Sequence, residues 1–409
     1  MDCKHFGTCG GCSLPGVPYG EQLARKRARL ADLFSIEVPP LIPSPRESAF
    51  RQKAAFVFGT APRGPRLVMG HYAAETKQIV PIDECPVHSA RANRIAFALR
   101  DRLARAGIGA ADAPGGILRH LIVRTTEDDS EAVAMLVVTR NDRSLRAPVR
   151  GLLTSANAPD GFFININTRP GPYMVGDETV KIAGRSRVRE KAMAATPHPH
   201  GVDFLVSPDA FFQTNVGAAR TLVKLVLAGV GAASHVLDLY SGSGLFALPI
   251  AVKGVNVTAI EEHRQAVEDL KTNAKLNRIA PLRVKSIAAR VEDTIARVSQ
   301  EAWDAVILDP PRDGCAPDVL SAIFDRVKPA RAVYVSCNPE ALARELPGIL
   351  KCGYRVDHVQ AVDMFPHTQH IETVVTLSRG PDVRDSQSGR FSGRRPAAPC
   401  RRPAPPARA

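Results

Sequence analysis

Two segments of this 409-residue chain put a reactive side chain at what reads as a strand end and follow it at once with proline. One is Leu308-Asp309-Pro310-Pro311-Arg312-Asp313-Gly314, the other Val335-Ser336-Cys337-Asn338-Pro339. Proline stops a strand and stiffens the loop, so Asp309 and Cys337 would be held where an open sheet presents its ligand crevice. A free cysteine is most often a small buried hydrophobe, but a polar Ser-Cys-Asn-Pro turn gives Cys337 the setting of a nucleophile. The thiolate is the reactive form, so a site built around Cys337 is expected to favour ionisation. Cys315 and Cys352 read as structural, and Cys400 falls in a C-terminal tail.

A second chemistry lies at the N-terminus. Cys3, Cys9 and Cys12 cluster in a Cys-x5-Cys-Gly-Gly-Cys run, and Cys85 stands in Asp83-Glu84-Cys85-Pro86. Four thiolates can hold zinc or an iron-sulfur cluster, and the CxxC spacing alone slightly favours zinc. Eight cysteines in the whole chain are too few for a disulfide scaffold, which leaves metal binding or nucleophilic chemistry for clustered ones.

The third feature is the loop Asp238-Leu239-Tyr240-Ser241-Gly242-Ser243-Gly244, which follows an apolar strand and opens a helix. Its glycines let a nucleotide-type cofactor approach the backbone. The lysine and hydroxyl residue of a phosphate-binding P-loop are missing, which argues against ATP or GTP hydrolysis. Glu261, 17 residues beyond Gly244, ends the next strand, where its carboxylate can accept hydrogen bonds from both hydroxyls of a ribose. Dinucleotides and S-adenosylmethionine (SAM) both present that ribose. The third glycine expected for pyrophosphate is absent near Ala247, which shifts the balance to SAM.

The elements that must position these residues fall into two patterns. Residues 1–202 read as an α+β domain: an amphipathic helix over 21–34, β-prone runs at 54–58, 78–82, 118–125, 132–139 and 161–167, and a helix over 89–106. Residues 203–379 alternate helix and strand. The helices are 207–227, opened by Ser207-Pro208, then 245–252, 263–277 and 317–327, and the strands are 235–240, 256–261, 305–309 and 332–336. Short apolar strands between amphipathic helices imply a parallel sheet covered on both faces, hence a doubly wound α/β domain. The runs 354–365 and 371–377 are joined by too few residues for a helical crossover and should form an antiparallel hairpin, a feature that also leans towards SAM-dependent methyltransferase folds.

Composition bounds the rest. The chain has 54 Lys+Arg against 41 Asp+Glu, a net charge of +13, which proposes an anionic partner with nucleic acid first. Residues 380–409 carry seven Arg, two Asp and six Pro with almost no large apolar side chain, so this basic tail is expected to be disordered. The tail accounts for +5 and leaves +8 for the folded body. No apolar run is long enough to span a membrane and no secretory leader is evident, so a cytoplasmic protein without membrane partners is expected.

The sequence resembles the RNA 5-methyluridine methyltransferases, which act on uracil C5 in bacterial rRNA and tRNA. The resemblance runs from Cys3 to about Leu377. It is carried by Phe211-Phe212-Gln213-Thr214-Asn215, the DLYSGSG loop, LDPPRDG, VSCNP and the closing run from Asp363 to Glu372. It implies that Cys337 is the nucleophile and Glu372 the base. It also implies that Gln213, Tyr240, Glu261 and Asp309 contact SAM, and that Cys3, Cys9, Cys12 and Cys85 hold a 4Fe-4S cluster. Leu245 departs from the tRNA-type members, which tend to have Asn contacting the cofactor there. The chain begins directly at the cysteine motif, without an N-terminal RNA-binding barrel, which resembles the shorter 23S rRNA enzymes. An rRNA substrate is therefore expected ahead of tRNA, and a monomer.

In that chemistry uracil C5 is too poor a nucleophile to take a methyl group directly. Thiolate addition at C6 makes C5 carbanion-like, and a base must later remove the C5 proton. A uracil in structured RNA must be unstacked to reach Cys337, so Arg51, Lys53 and Arg312 are candidates for phosphate contact, against a background expectation of simple solvation. His367 and His370, close in sequence to Glu372, could polarise the site or contact RNA, and read first as solvated loop residues. Two readings from other classes compete. An NAD-type oxidoreductase with an iron-sulfur relay would leave Cys337, DPPR and Glu372 without roles. A non-catalytic RNA-binding protein would leave the catalytic pairing unexplained.

Overall fold

The computed structural model describes residues 3–61, 64, 66–169, 173–191 and 201–380; the basic tail lies outside the described residues except for Gly380. Helix α1 (Tyr19–Phe34) comes first. A seven-stranded sheet follows, built from β1 (Lys53–Thr60), β2 (Leu67–Tyr72), β3 (Ile79–Pro81), β4 (Leu118–Thr125), β5 (Ala132–Val138), β6 (Gly161–Ile166) and β7 (Glu178–Gly184). Its order is β3-β2-β1-β4-β5-β6-β7, with every neighbouring pair antiparallel except β5 and β6. Helices α2 (Ala90–Arg105) and α3 (Arg146–Leu153) cover one face. The helix expected over 89–106 is α2, capped by Ser89, whose side chain accepts from the Ala92 amide.

The short pair β8 (Val188–Glu190) and β9 (Phe204–Val206) leads into the second sheet. This contains β10 (His235–Leu239), β11 (Asn256–Glu261), β12 (Val284–Ala288), β13 (Ala305–Leu308), β14 (Arg331–Ser336), β15 (Tyr354–Val362) and β16 (Glu372–Arg379). The order is β12-β11-β10-β13-β14-β16-β15, parallel except that β16 runs antiparallel to both its neighbours. The expected terminal hairpin is thus present, with its second strand slotted inside the first. Strand order reverses at β10, so the crevice beyond the carboxyl ends of β10 and β13 is the topological switch point.

Alternate residues of β10 feed two cores, Val236 towards one face and Leu237 towards the other. Helices α4 (Val216–Val230), α5 (Ala247–Val252) and α6 (Arg264–Leu276) pack on the Val236 side. On the Leu237 side lie α7 (Val291–Val298), α8 (Pro317–Ser321) with its π-type continuation to Val327, and α9 (Pro339–Lys351). The Val236-side core also takes in Ile122, Met135 and Phe163 of the first sheet, so the two sheets share apolar burial.

One expected helix is corrected. The Ser-Pro signal at 207–208 suggests a start there, but α4 begins at Val216, capped by Asn215, whose side chain accepts from the Ala218 amide. Ser207 instead gives its hydroxyl to Asp269 on α6 at 2.9 Å. The intervening stretch is irregular, bending at 208–210 and 214, and carries Gln213 to the cavity at the switch point.

Candidate active site

The chain leaves β10 through Tyr240 at φ +61°, then Gly242 at +54° and Gly244 at +88°. A Cβ on Gly244 would lie 3.0 Å from Leu248 Cγ and 3.1 Å from Leu270 Cγ, so this turn requires glycine. Glu261, at the end of β11, accepts from the amides of Gly242 at 2.9 Å and His263 at 2.7 Å, which pins its carboxylate beside the loop. The Ser241 and Ser243 hydroxyls are buried with no hydrogen-bond partner among the described residues. Buried polar groups are normally satisfied, so a loop with two orphan hydroxyls and an oriented carboxylate fits a polar ligand such as the ribose and amino-acid portions of SAM.

Asp309 follows β13 and Cys337 follows β14. The Asn338 side chain caps α9 by accepting from the Glu340 amide at 3.2 Å and donates to the Arg312 carbonyl at 2.7 Å. That second bond ties the two proline-stiffened loops together. Glu372 opens β16, is 2% exposed and pairs in register with Val362. All six residues expected at the SAM and catalytic positions, Gln213, Tyr240, Glu261, Asp309, Cys337 and Glu372, line one cavity of about 660 Å³. Arg312 and Phe365 share it, as does Phe211, which is 67% exposed.

The cavity is acidic. Burial, then the Asp309 charge, hold Glu372 well above the usual carboxylate range, against an opposing pull from Arg312. Burial and Glu261 push Asp309 up to about 7. Burial, then Glu372 and Asp309, push the Cys337 thiol up to about 11, with Arg312 opposing. The expectation of a site that favours the thiolate is therefore corrected: without a ligand, desolvation and two carboxyl groups outweigh one arginine. A cationic ligand in this cavity would shift all three groups towards ionisation, and a sulfonium is such a cation.

The N-terminal cysteines also converge. Cys3, Cys9, Cys12 and Cys85 line a separate cavity of about 300 Å³ with Arg51, His71 and His88. Burial is the first cause raising Cys12 to about 12 and Cys85 to about 11; neighbouring thiols raise them further and Arg51 opposes. Four mutually repelling sulfurs suit a bound cationic metal group, which would replace their protons. Sequence reasoning missed His71 and His88, whose ligand atoms and the Cys85 sulfur lie within 4.8 Å of one another. His71 sits on β2, a strand the pattern did not reveal.

Several side residues fall elsewhere than expected. Arg51 faces the cysteine cavity and lies 5.9 Å from the Phe365 ring. Lys53 donates to the carbonyls of Asp209 and Ala210, and burial beside Arg124 lowers it to about 7. Arg312 does reach the site. His367 is buried rather than solvated, bonded to Gln22 and the Glu47 carbonyl, while His370 is half-buried. Leu245 packs in the core, as its departure from Asn suggests. Glu292, which accepts from the Tyr240 hydroxyl at 3.0 Å, was missed because its helix α7 was not read from sequence.

Comparison with known proteins agrees with this geometry. A family profile described as tRNA (Uracil-5-)-methyltransferase matches residues 200–380. An uncharacterized RNA methyltransferase of Gloeobacter violaceus is 33% identical over 92% of this chain and 82% of its own. Another, of Caldanaerobacter subterraneus, is 32% identical over 92% and 84%. The structure of the Pyrococcus abyssi tRNA (uracil-54, C5)-methyltransferase in complex with S-adenosyl-L-homocysteine superposes with a TM-score of 0.74. It is 28% identical and covers 91% of this chain and 86% of that one. The chain belongs to the RNA uracil-C5 methyltransferase family, SAM-dependent enzymes that methylate RNA.

Proposed function

We propose that this enzyme forms 5-methyluridine in 23S rRNA, with Cys337 as nucleophile and Glu372 as base. The observation that carries the reading is the meeting of Cys337 and Glu372 on the same cavity as the glycine loop and Glu261. SAM, when bound there, supplies an electrophilic methyl group and a positive charge. Gln213, Tyr240, Glu261 and Asp309 hold it, with Glu261 facing the ribose.

The deprotonated sulfur of Cys337 would add to uracil C6, and the electron pair released to C5 would take up the methyl group, with S-adenosylhomocysteine as the thioether leaving group. The Glu372 carboxylate then takes the C5 proton. The C5–H pair becomes the C5=C6 double bond, and the C6–S bond breaks back to the sulfur. Arg312 is the cation that opposes the proton-retaining field at both Cys337 and Glu372. Phe211, exposed at the cavity, offers a face on which an unstacked base can rest.

Cys3, Cys9, Cys12 and Cys85 hold a 4Fe-4S cluster in this reading, supported by their convergence on one cavity. The chain acts as a cytoplasmic monomer, with a cluster-bearing, RNA-contacting unit over 1–202, a methyltransferase unit over 203–379 and a basic tail beyond. Among the described residues no helix is long and apolar enough to cross a membrane. The rRNA assignment is supported by Leu245, core-packed where tRNA-type members tend to have Asn. A tRNA substrate is the second reading, favoured by the substrate named for the Pyrococcus abyssi structure. Mass mapping of total RNA from a deletion strain decides between them. Loss of a 5-methyluridine from 23S rRNA supports the proposal, its loss from tRNA supports the second reading, and an unchanged profile contradicts both.

A further inference from the structure

Helix α1 was expected to bury an apolar face, yet its buried positions include Gln22 and Lys26, at 0% and 3% exposure. With Arg29 they lie four and then three residues apart, on one side of the helix. All three reach the same target, the connection 363–371 between β15 and β16, which delivers Glu372 to the cavity.

Gln22 accepts from the His367 amide at 2.7 Å and donates to His367 Nδ1 at 3.2 Å. His367 has φ +66°, a conformation a non-glycine residue keeps only when its surroundings hold it there. Lys26 donates to Asp363 Oδ1 at 2.7 Å and to the Phe365 carbonyl at 3.2 Å. Arg29 donates to the Gln369 carbonyl at 3.0 Å and, through Nε, to Glu340 at 2.9 Å. Glu340 lies in the first turn of α9, three residues past Cys337, so Arg29 ties the connection before Glu372 to the helix behind Cys337. Just ahead of α1, the Ser13 and Leu14 amides donate to the His367 carbonyl at 2.9 and 3.0 Å, and the Gln369 amide donates to Ser13 Oγ at 3.0 Å.

Such a density of directed bonds on nine residues exceeds what apolar docking of a helix needs. We propose that Gln22, Lys26 and Arg29 are positioning residues for proton abstraction, fixing Glu372 relative to C5 of the adduct held by Cys337. This rests on the reading of Glu372 as the base. Thiol addition and methyl transfer depend on the β10, β13 and β14 loops, and of these three side chains only Arg29 touches an element behind them. Loosening the clamp therefore slows the last step most: the C5 proton stays in place, the C6–S bond cannot break, and the methylated adduct persists.

The test uses the full chain with pooled unmodified 23S rRNA and tRNA transcripts whose uridines carry tritium at C5, plus SAM labelled in its methyl group. Arg29→Ala and Gln22→Leu are the variants, because Lys26→Met strands a buried carboxylate and risks unfolding; Glu372→Gln is the reference. With enzyme in excess over RNA, so that each molecule turns over at most once, the expected result for the two clamp variants is tritium release slowed roughly 10- to 100-fold with methyl incorporation within about twofold of wild type. An adduct that survives denaturing electrophoresis should accumulate alongside. Equal loss of both labels, or no adduct above wild type, overturns the clamp while an adduct in Glu372→Gln leaves the base assignment standing. Absence of adduct in Glu372→Gln itself overturns that assignment instead, and the clamp with it.

Discussion

Alkylation of Cys337 by iodoacetamide reads the electrostatics of the cavity without any RNA. In the ligand-free protein, burial first and then Glu372 and Asp309 hold the thiol at about 11. At pH 8 only about one molecule in a thousand then carries the reactive thiolate, and the rate should climb about tenfold per pH unit towards pH 10. Glu372 is, after burial, the largest cause raising the thiol, so Glu372→Gln removes that contribution and lowers the thiol's pKa. A change on the order of one unit makes alkylation at pH 8 about tenfold faster. Arg312→Met removes the opposing cation and should slow it. The assay is mass-spectrometric quantification of the Cys337 peptide over time, which separates it from the other cysteines. A rate already level by pH 8, or a slower rate in Glu372→Gln, would refute the account of the resting site.

Two further outcomes follow from the packing. Gly244→Ala places a Cβ against Leu248 and Leu270 in a left-handed turn, so calorimetry should show SAM affinity reduced by about 1–2 kcal/mol, roughly tenfold, with the fold retained. Lys26→Met removes the ammonium partner of a wholly buried carboxyl group, Asp363, so urea unfolding should show a loss of about 3–5 kcal/mol, whereas replacing both partners together with apolar residues costs much less.

The catalytic domain was legible because its strands are buried on both faces and read as apolar runs: β10, β11, β13 and β14 all appear near their observed positions. Two edge strands were not. β12, with Lys285 and Ser286, and β7, exposed over most of its length, bury too little to show an alternating pattern. Ser207-Pro208 carries a helix-start signal that loses to a tertiary bond, because Asp269 takes the Ser207 hydroxyl. The site residues came from their places at strand ends and from the family resemblance. The α1 clamp did not, because its partners are more than 300 residues apart in sequence and polar side chains on a charged helix look solvated until the loop they hold is placed.

Whether Cys337 forms a covalent bond to the substrate base is the most direct question. Glu372→Gln incubated with SAM and the pooled transcripts, then digested with protease and nuclease, should give a Cys337 peptide heavier by one 5-methyluridine nucleotide, linked through C6. An adduct on another residue, or 5-methyluridine produced at the wild-type rate by Cys337→Ala, would contradict the account.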